Sequence, residues 1–378
     1  MKQKVYAVAG NIVSPLGFTA EENFRAVVEG RSGVALQEGT FGIPEPFCAS
    51  LFDRGQVATR AAAEGISGNN LFETLLILSL KDALSKAGID AASSRVAFVI
   101  SSIKGNVEAL DRGDEATVPV AVSAGRVNAF FGRSEAPLVV SNACISGLTS
   151  LIHARRMLLS GRYDYVVVAG AEVQSRFIVS GFQSLKALSP EPCRPFDAER
   201  CGLNLGEAAA TMVLARGEVC PPDCWELVDG ATRNDANHIS GPSRTGEGSF
   251  KALRYVLACC KPEELAFVNV HGTSTLYNDE MESIALHRAG LSDVPLNALK
   301  GFFGHTMGAA GILESLVSMQ AADAGIVPGT LGFSEMGVSY PVNVSAANRT
   351  TDKHAFIKLL SGFGGCNAAL LFRKGGAR

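Results

Sequence analysis

The sequence predicts an α/β fold in two similar halves, with mixed or parallel sheets sandwiched between helices. Three observations carry this expectation. Short β-branched runs alternate with helical stretches along the whole chain. The alternation starts again after residue 220. Cys144, His271 and Phe363 each come at or just beyond the end of an apolar run, where open α/β sheets collect their ligands.

The elements follow in order. "KVYAVAG" reads as a strand, "FETLLILSLKDALSKAG" has apolar residues at helical spacing, and "RVAFVIS" and "APLVVS" are strands. A helix, "LTSLIHARRMLLSG", and a strand, "DYVVVAGAE", complete the first series. The Pro-rich "CPPDC" at 220 to 224 reads as a connection. Beyond it come "CWELVDGATRN", "SFKALRYVLACC", "LAFVNVHG", "NDEMESIALHRAG", "GAAGILESLVSMQAADAG", "HAFIKLLSG" and "NAALLFR". We therefore expect halves at residues 1–220 and 221–378.

Composition narrows the function classes. With 378 residues, 47% hydrophobic and 19% charged, the chain suffices for one large unit or two fused domains. A net charge of -3 and no basic stripe interleaved with aromatics leave little support for nucleic-acid binding. No apolar run is long enough to span a membrane, and the first residues read as a strand, so a cytoplasmic protein is expected. Nine scattered cysteines favour reduced thiols over a disulfide framework. Cys220, Cys224, Cys259 and Cys260 fit no common zinc spacing, and no metal is expected.

Four stretches could carry chemistry. In "APLVVSNACISGLTSLIHARRMLL", Cys144 sits at a strand-to-helix turn, where free backbone N–H groups and the helix dipole lower a thiol's pKa. Taken alone, it reads more readily as a small buried hydrophobe than as a nucleophile. In "FVNVHGTSTLYNDEMES", His271 could donate or accept a proton, with Thr273 and Thr275 offering hydroxyls. In "LNALKGFFGHTMGAAGILES", Lys300 and His305 share a Gly-rich loop ahead of a helix that carries Glu314. "LLSGFGGCNAAL" is a tight glycine loop between strands, which alone is no more than a turn.

All four, in this order, resemble the β-ketoacyl-acyl-carrier-protein synthases, the Cys-His-His condensing enzymes of the thiolase-like superfamily. "NACISG" is similar to the family's nucleophile turn, "VHGTSTLYND" to its first histidine loop, "KGFFGHTMGAAG" to its lysine and second-histidine loop, and "SGFGGCNAAL" to its closing glycine loop. "CRPFDAERCGLNLGEAAATMVL" at 193 to 214 adds a fifth match, so the resemblance covers nearly the whole chain.

The resemblance implies a thiolase-like fold, with mixed five-stranded sheets layered between helices as αβαβα. It implies decarboxylative condensation of a malonyl thioester with an acyl chain on Cys144, in fatty-acid or polyketide/polyene-type biosynthesis. His271 and His305 would donate to the malonyl thioester carbonyl, and Lys300, paired with Glu314, would shape the field. The backbone N–H groups of Cys144 and Phe363 would form the oxyanion hole, with Gly362 and Gly364 freeing Phe363 to act as a gate. Thr273 and Thr275 would hold the pantetheine arm, and Ile103 of "SSIKGN" would floor the acyl pocket. Asp279 and Glu282 would support the histidine loop.

No cofactor is implied beyond the carrier's phosphopantetheine, and the partners are an acyl carrier protein and a second chain, as a homodimer or as a heterodimer with a related chain. Ser361 departs from the family's Phe-Gly-Phe-Gly-Gly loop, and the segment between "SSIKGN" and Cys144 is shorter than usual. A chain-length-factor-like subunit partnering an active synthase is the alternative reading.

Overall fold

The apolar runs become ten strands of one sheet in a computed structural model, which describes residues 3–220, 223–235 and 237–375. Pro221 and Pro222 of the connection lie outside the described residues. The first series gives β1 (Val5–Val13), β2 (Val96–Ser101), β3 (Leu138–Val140), β4 (Tyr165–Glu172) and β5 (Ala208–Arg216). The second gives β6 (Trp225–Asn234), β7 (Phe267–Asn269), β8 (Leu296–Asn297), β9 (Ala355–Gly362) and β10 (Cys366–Lys374).

Their order across the sheet is β8-β7-β9-β10-β6-β1-β5-β4-β2-β3. Read outward from the centre, each half repeats one pattern. Its first strand pairs antiparallel with its fifth, the fifth antiparallel with its fourth, and the rest run parallel. The expected mixed five-stranded sheets are present, one per half, and they are joined. Tyr6 and Ala7 pair with Glu226 and Trp225, so the halves join edge to edge. That junction is two residue pairs long and leaves the half-sheets free to splay around what lies between them.

Between them lie two helices, α2 (Ser146–Leu159) and α5 (Met307–Asp323), which pack on each other and on strands of both halves. Helix α5 is buried on every side from Met307 to Met319, as a helix enclosed by two sheets must be. Outside, α1 (Leu71–Ala87) covers β1 and β5, and α3 (Glu247–Val256) covers β6 and β10. Helix α4 (Leu276–Arg288) packs beside α3. Asn70 caps α1 by accepting from the Glu73 amide, and Gly88 ends it in the left-handed region at φ 63. The layers are therefore helix, sheet, helix, sheet, helix. Short accessory sheets of three and two strands lie outside the main one.

The central helices meet backbone to backbone. A Cβ on Gly147 would come within 2.8 Å of the Gly308 carbonyl, and one on Gly311 would collide with the Leu148 amide. This close crossing brings the start of α2, next to Cys144, against the start of α5, next to His305. An alanine inside a helix ordinarily gains about 1 kcal/mol over glycine. Here the sign reverses: Gly311→Ala is expected to cost about 1–3 kcal/mol through overpacking, read as a lower denaturation midpoint.

Candidate active site

Cys144 sits in the turn between β3 and α2, where Ala143 is held at φ 43, a strained value for a residue with a side chain. Ser146 secures the turn, its hydroxyl accepting from the Asn142 amide at 2.8 Å and donating to the Ala143 carbonyl at 2.6 Å. The thiol is only 6% exposed. Burial, helped by nearby Cys366, pushes it up to about 12, against the opposing pull of Lys300 and of the Phe363 amide. The expected lowering is not found: loss of water outweighs the Lys300 charge and the Phe363 amide, so the resting thiol keeps its proton.

Two imidazoles face it. His271 follows β7 and His305 precedes α5, their rings 5.0 Å apart and nearly perpendicular at 81°. The Cys144 sulfur and one nitrogen from each ring all lie within 4.8 Å of one another. Such a trio is a conceivable metal set, but its proton arrangement opposes it. The Met307 amide donates to His305 Nδ1 at 3.3 Å, which assigns the proton to Nε2, and Nε2 finds no partner among the described residues. His305 Nε2 is thus a donor awaiting an oxygen rather than a ligand awaiting a cation. Burial first, then Lys300, holds both histidines well below the ordinary value, so both are neutral at physiological pH.

The first histidine loop hangs on two buried carboxylates of α4. Glu282 accepts from the His271 and Gly272 amides, each at 2.7 Å, and Asp279 accepts from the Thr273 and Ser274 amides, each at 3.1 Å. Asp279 also accepts from the Phe196 amide of the Arg-Pro-Phe-Asp segment at 2.8 Å. Burial pushes Glu282 up to about 7 and Asp279 up to about 6. Glu282→Ala would strand two buried N–H groups and is expected to cost at least about 2 kcal/mol, visible as a lower unfolding midpoint.

Behind the histidines, Lys300 donates to Glu314 at 2.8 Å, both fully buried. Burial raises Glu314, but Lys300 and Lys358 outweigh it and hold the carboxyl below the usual carboxylate range.

A cleft of about 400 Å³ opens onto the trio. Cys144, His271, His305, Thr273, Thr275, Gly362 and Phe363 all line it, and the two threonine hydroxyls are 2.9 Å apart. Phe363 is 37% exposed and stacks on Phe182 with ring centres 5.7 Å apart. Gly364 stands outside the lining with φ 81, its amide donating to the Ile239 carbonyl at 2.7 Å. Ser361, where the resemblance leads one to expect Phe, donates its hydroxyl to Asn367 Oδ1 at 2.8 Å. Ile103 does not line the cleft: its amide is drawn to Glu172 and its side chain packs on the core beneath α1.

Two buried ionisable residues at the site escaped sequence reasoning. Glu172 ends β4 and accepts from the Ser102 hydroxyl at 3.0 Å and the Gly308 amide at 3.3 Å; burial pushes it up to about 7. Lys358 sits in mid-strand on β9 and reaches Glu314. In both cases the available signal was an ionisable residue inside an apolar run.

Fold and site together define a thiolase-like condensing enzyme with a Cys-His-His centre. The family models for the β-ketoacyl synthase N-terminal and C-terminal domains match residues 2–219 and 225–334. The chain belongs to the β-ketoacyl synthase family. It is 30% identical to 3-oxoacyl-[acyl-carrier-protein] synthase 2 of Vibrio cholerae serotype O1, over 99% of each chain. Among solved structures, it matches the ketosynthase ApeO in complex with its chain length factor ApeC from Xenorhabdus doucetiae at a TM-score of 0.88 and 23% identity, covering 99% of this chain and 98% of that one. A β-ketoacyl synthase from Burkholderia phymatum matches at 0.86 and 25% identity, covering 99% and 100%. Among the described residues, no helix is long and apolar enough to cross a membrane.

Proposed function

We propose that this β-ketoacyl synthase extends an acyl chain delivered on an acyl carrier protein, by the decarboxylative chemistry its family resemblance implies. The Cys144 sulfur attacks the acyl thioester; the new C–S bond forms as the bond to pantetheine breaks, and the thiol proton ends on the departing pantetheine sulfur. A malonyl thioester then loses CO₂, and the electron pair left behind forms an enolate whose oxygen takes hydrogen bonds from His271 and His305. The enolate carbon attacks the acyl carbonyl held by the Cys144 and Phe363 amides. A C–C bond forms, the bond to Cys144 breaks, and the thiol takes up a proton again.

The observation that carries this reading is the convergence of one thiol and two neutral imidazoles within 4.8 Å at the base of one cleft. Thr273 and Thr275 are suited to the amides of a pantetheine arm. No cofactor is invoked beyond that arm. Residues 1–220 act as the half bearing the nucleophile, and residues 221–378 as the half bearing both histidines and Lys300. The protein works in the cytoplasm as a dimer, with itself or with a related chain; the structurally similar ketosynthase ApeO is in complex with its chain length factor, which supports a paired arrangement.

Incubation with acyl-loaded carrier protein, followed by intact mass measurement, is expected to show one acyl group on Cys144 and chain extension once malonyl carrier is added. No adduct and no extension with any carrier-bound primer would sink the enzyme reading in favour of the chain-length-factor-like one.

A further inference from the structure

Lys358 is the odd residue of its strand. It stands between Ile357 and Leu359 in β9 and is fully buried. An ammonium taken out of water is costly unless charge-paired and hydrogen-bonded, so a lysine at such a place calls for a specific arrangement. That arrangement is present. Its Nζ donates to one oxygen of Glu314 and to the Val270 carbonyl at 3.1 Å, with the Asn269 carbonyl at 3.5 Å. Val270 is the residue before His271. The other oxygen of Glu314 accepts from Lys300. Two ammonium groups thus share one buried carboxylate, leaving an excess of positive charge behind the histidines.

We infer that Lys358 is a positioning residue of the condensation site: it clamps the strand end that delivers His271 and, with Lys300, presents positive charge behind both imidazoles, where negative charge develops as the malonyl group loses CO₂. This rests on the assignment of His271 and His305 as donors to the malonyl carbonyl. The charged and titratable groups around Lys358 are Glu314 from α5, Lys300 from the turn before it, Glu282 from α4, and the two histidines. Burial pulls Lys358 down to about 8 while Glu314 acts to raise it, and Lys358 in turn lowers both histidines. An ammonium at this position therefore favours neutral imidazoles carrying an N–H for the substrate oxygen.

The test replaces Lys358 by methionine, which keeps the length and removes the charge, and by arginine, which keeps the charge. In Lys358→Met, kcat for malonyl decarboxylation is expected to fall about 10- to 100-fold with KM within about 3-fold, because the lost interaction acts on developing charge. Acyl loading of Cys144 should stay near the wild-type rate, and the His271 and His305 ring signals in NMR should titrate at higher pH. Lys358→Arg should restore a measurable part of kcat.

Wild-type kcat and unmoved histidine titrations in folded Lys358→Met would overturn the inference. So would a proportional loss of loading and decarboxylation without rescue by arginine. If neither variant folds, lysine-selective ¹⁵N spectra of the wild-type protein decide. The Lys358 ammonium should lose its proton near pH 8 with the His271 ring responding in the same titration, and titration of Lys358 without that response overturns the inference. Absence of decarboxylation in the wild-type protein is a different failure, that of the proposed function itself.

Discussion

Replacing Cys144 by alanine is expected to abolish the acyl adduct and to lower condensation by about 10⁴-fold or more, because Cys144 carries the thiol that lies within 4.8 Å of both imidazoles. Two other thiols stand nearby: Cys201 also lines the cleft, its sulfur 3.1 Å from the Ser189 hydroxyl, whereas Cys366 is directed to the carbonyls of Phe363 and Asn142 and does not line it. The same variant should still decarboxylate a malonyl thioester, since both imidazoles remain. Cys144→Gln should separate the two steps more sharply: its side-chain carbonyl can occupy the place of the acyl carbonyl between the Cys144 and Phe363 amides. Condensation is then lost while decarboxylation persists. Loss of both activities in a folded Cys144→Gln protein would contradict the division of labour between thiol and histidines.

The second large effect falls on the histidines. His271→Ala and His305→Ala should each cut malonyl decarboxylation by about 10²- to 10³-fold, the scale seen when one preorganised donor to a developing oxyanion is removed. The double variant should lose little more than the worse single one, because the two donors act on one oxygen. Acyl loading of Cys144 is the contrast, being much less affected. The pH dependence has a definite sign. Burial and Lys300 lower both histidines, so the neutral donor form persists to lower pH than for an ordinary imidazole. A decarboxylation profile that breaks at pH 6.5, the ordinary histidine value, would count against the buried, neutral pair.

Much of this architecture is legible in the sequence because both signals are local. The run "DYVVVAGAE" becomes β4 and "FETLLILSLKDALSKAG" becomes α1 at nearly the expected residues, since β-branching, helical spacing and capping act over a few positions. The joining of β1 to β6 was not readable, because two residue pairs between distant segments leave no periodic trace. At the site, Cys144 became interpretable only in company with His271, Lys300, His305 and the loop of Phe363. No single turn carries that information; their order along the chain does. Lys358 and Glu172 were hidden for the opposite reason. Lys358 interrupts an otherwise apolar strand and Glu172 ends one, and pattern reading weighs the apolar neighbours above the one ionisable residue whose partners lie far off in sequence. Ile103 was assigned to a pocket by resemblance; in the fold its amide meets Glu172 and its side chain packs on the core.

The backbone contact of α2 with α5 also has a meaning in time. Cys144 belongs to the first half of the chain and His305 to the second, so the cleft exists only after both halves have folded and the two glycine faces have docked. Contacts of such long sequence separation form late, and large α/β chains reach them through partly folded intermediates. A nascent or half-folded chain therefore carries the Cys144 thiol without the two imidazoles that face it in the folded protein. The assembled trio of thiol and imidazoles thus arrives only with the helix crossing, late in the folding of the chain.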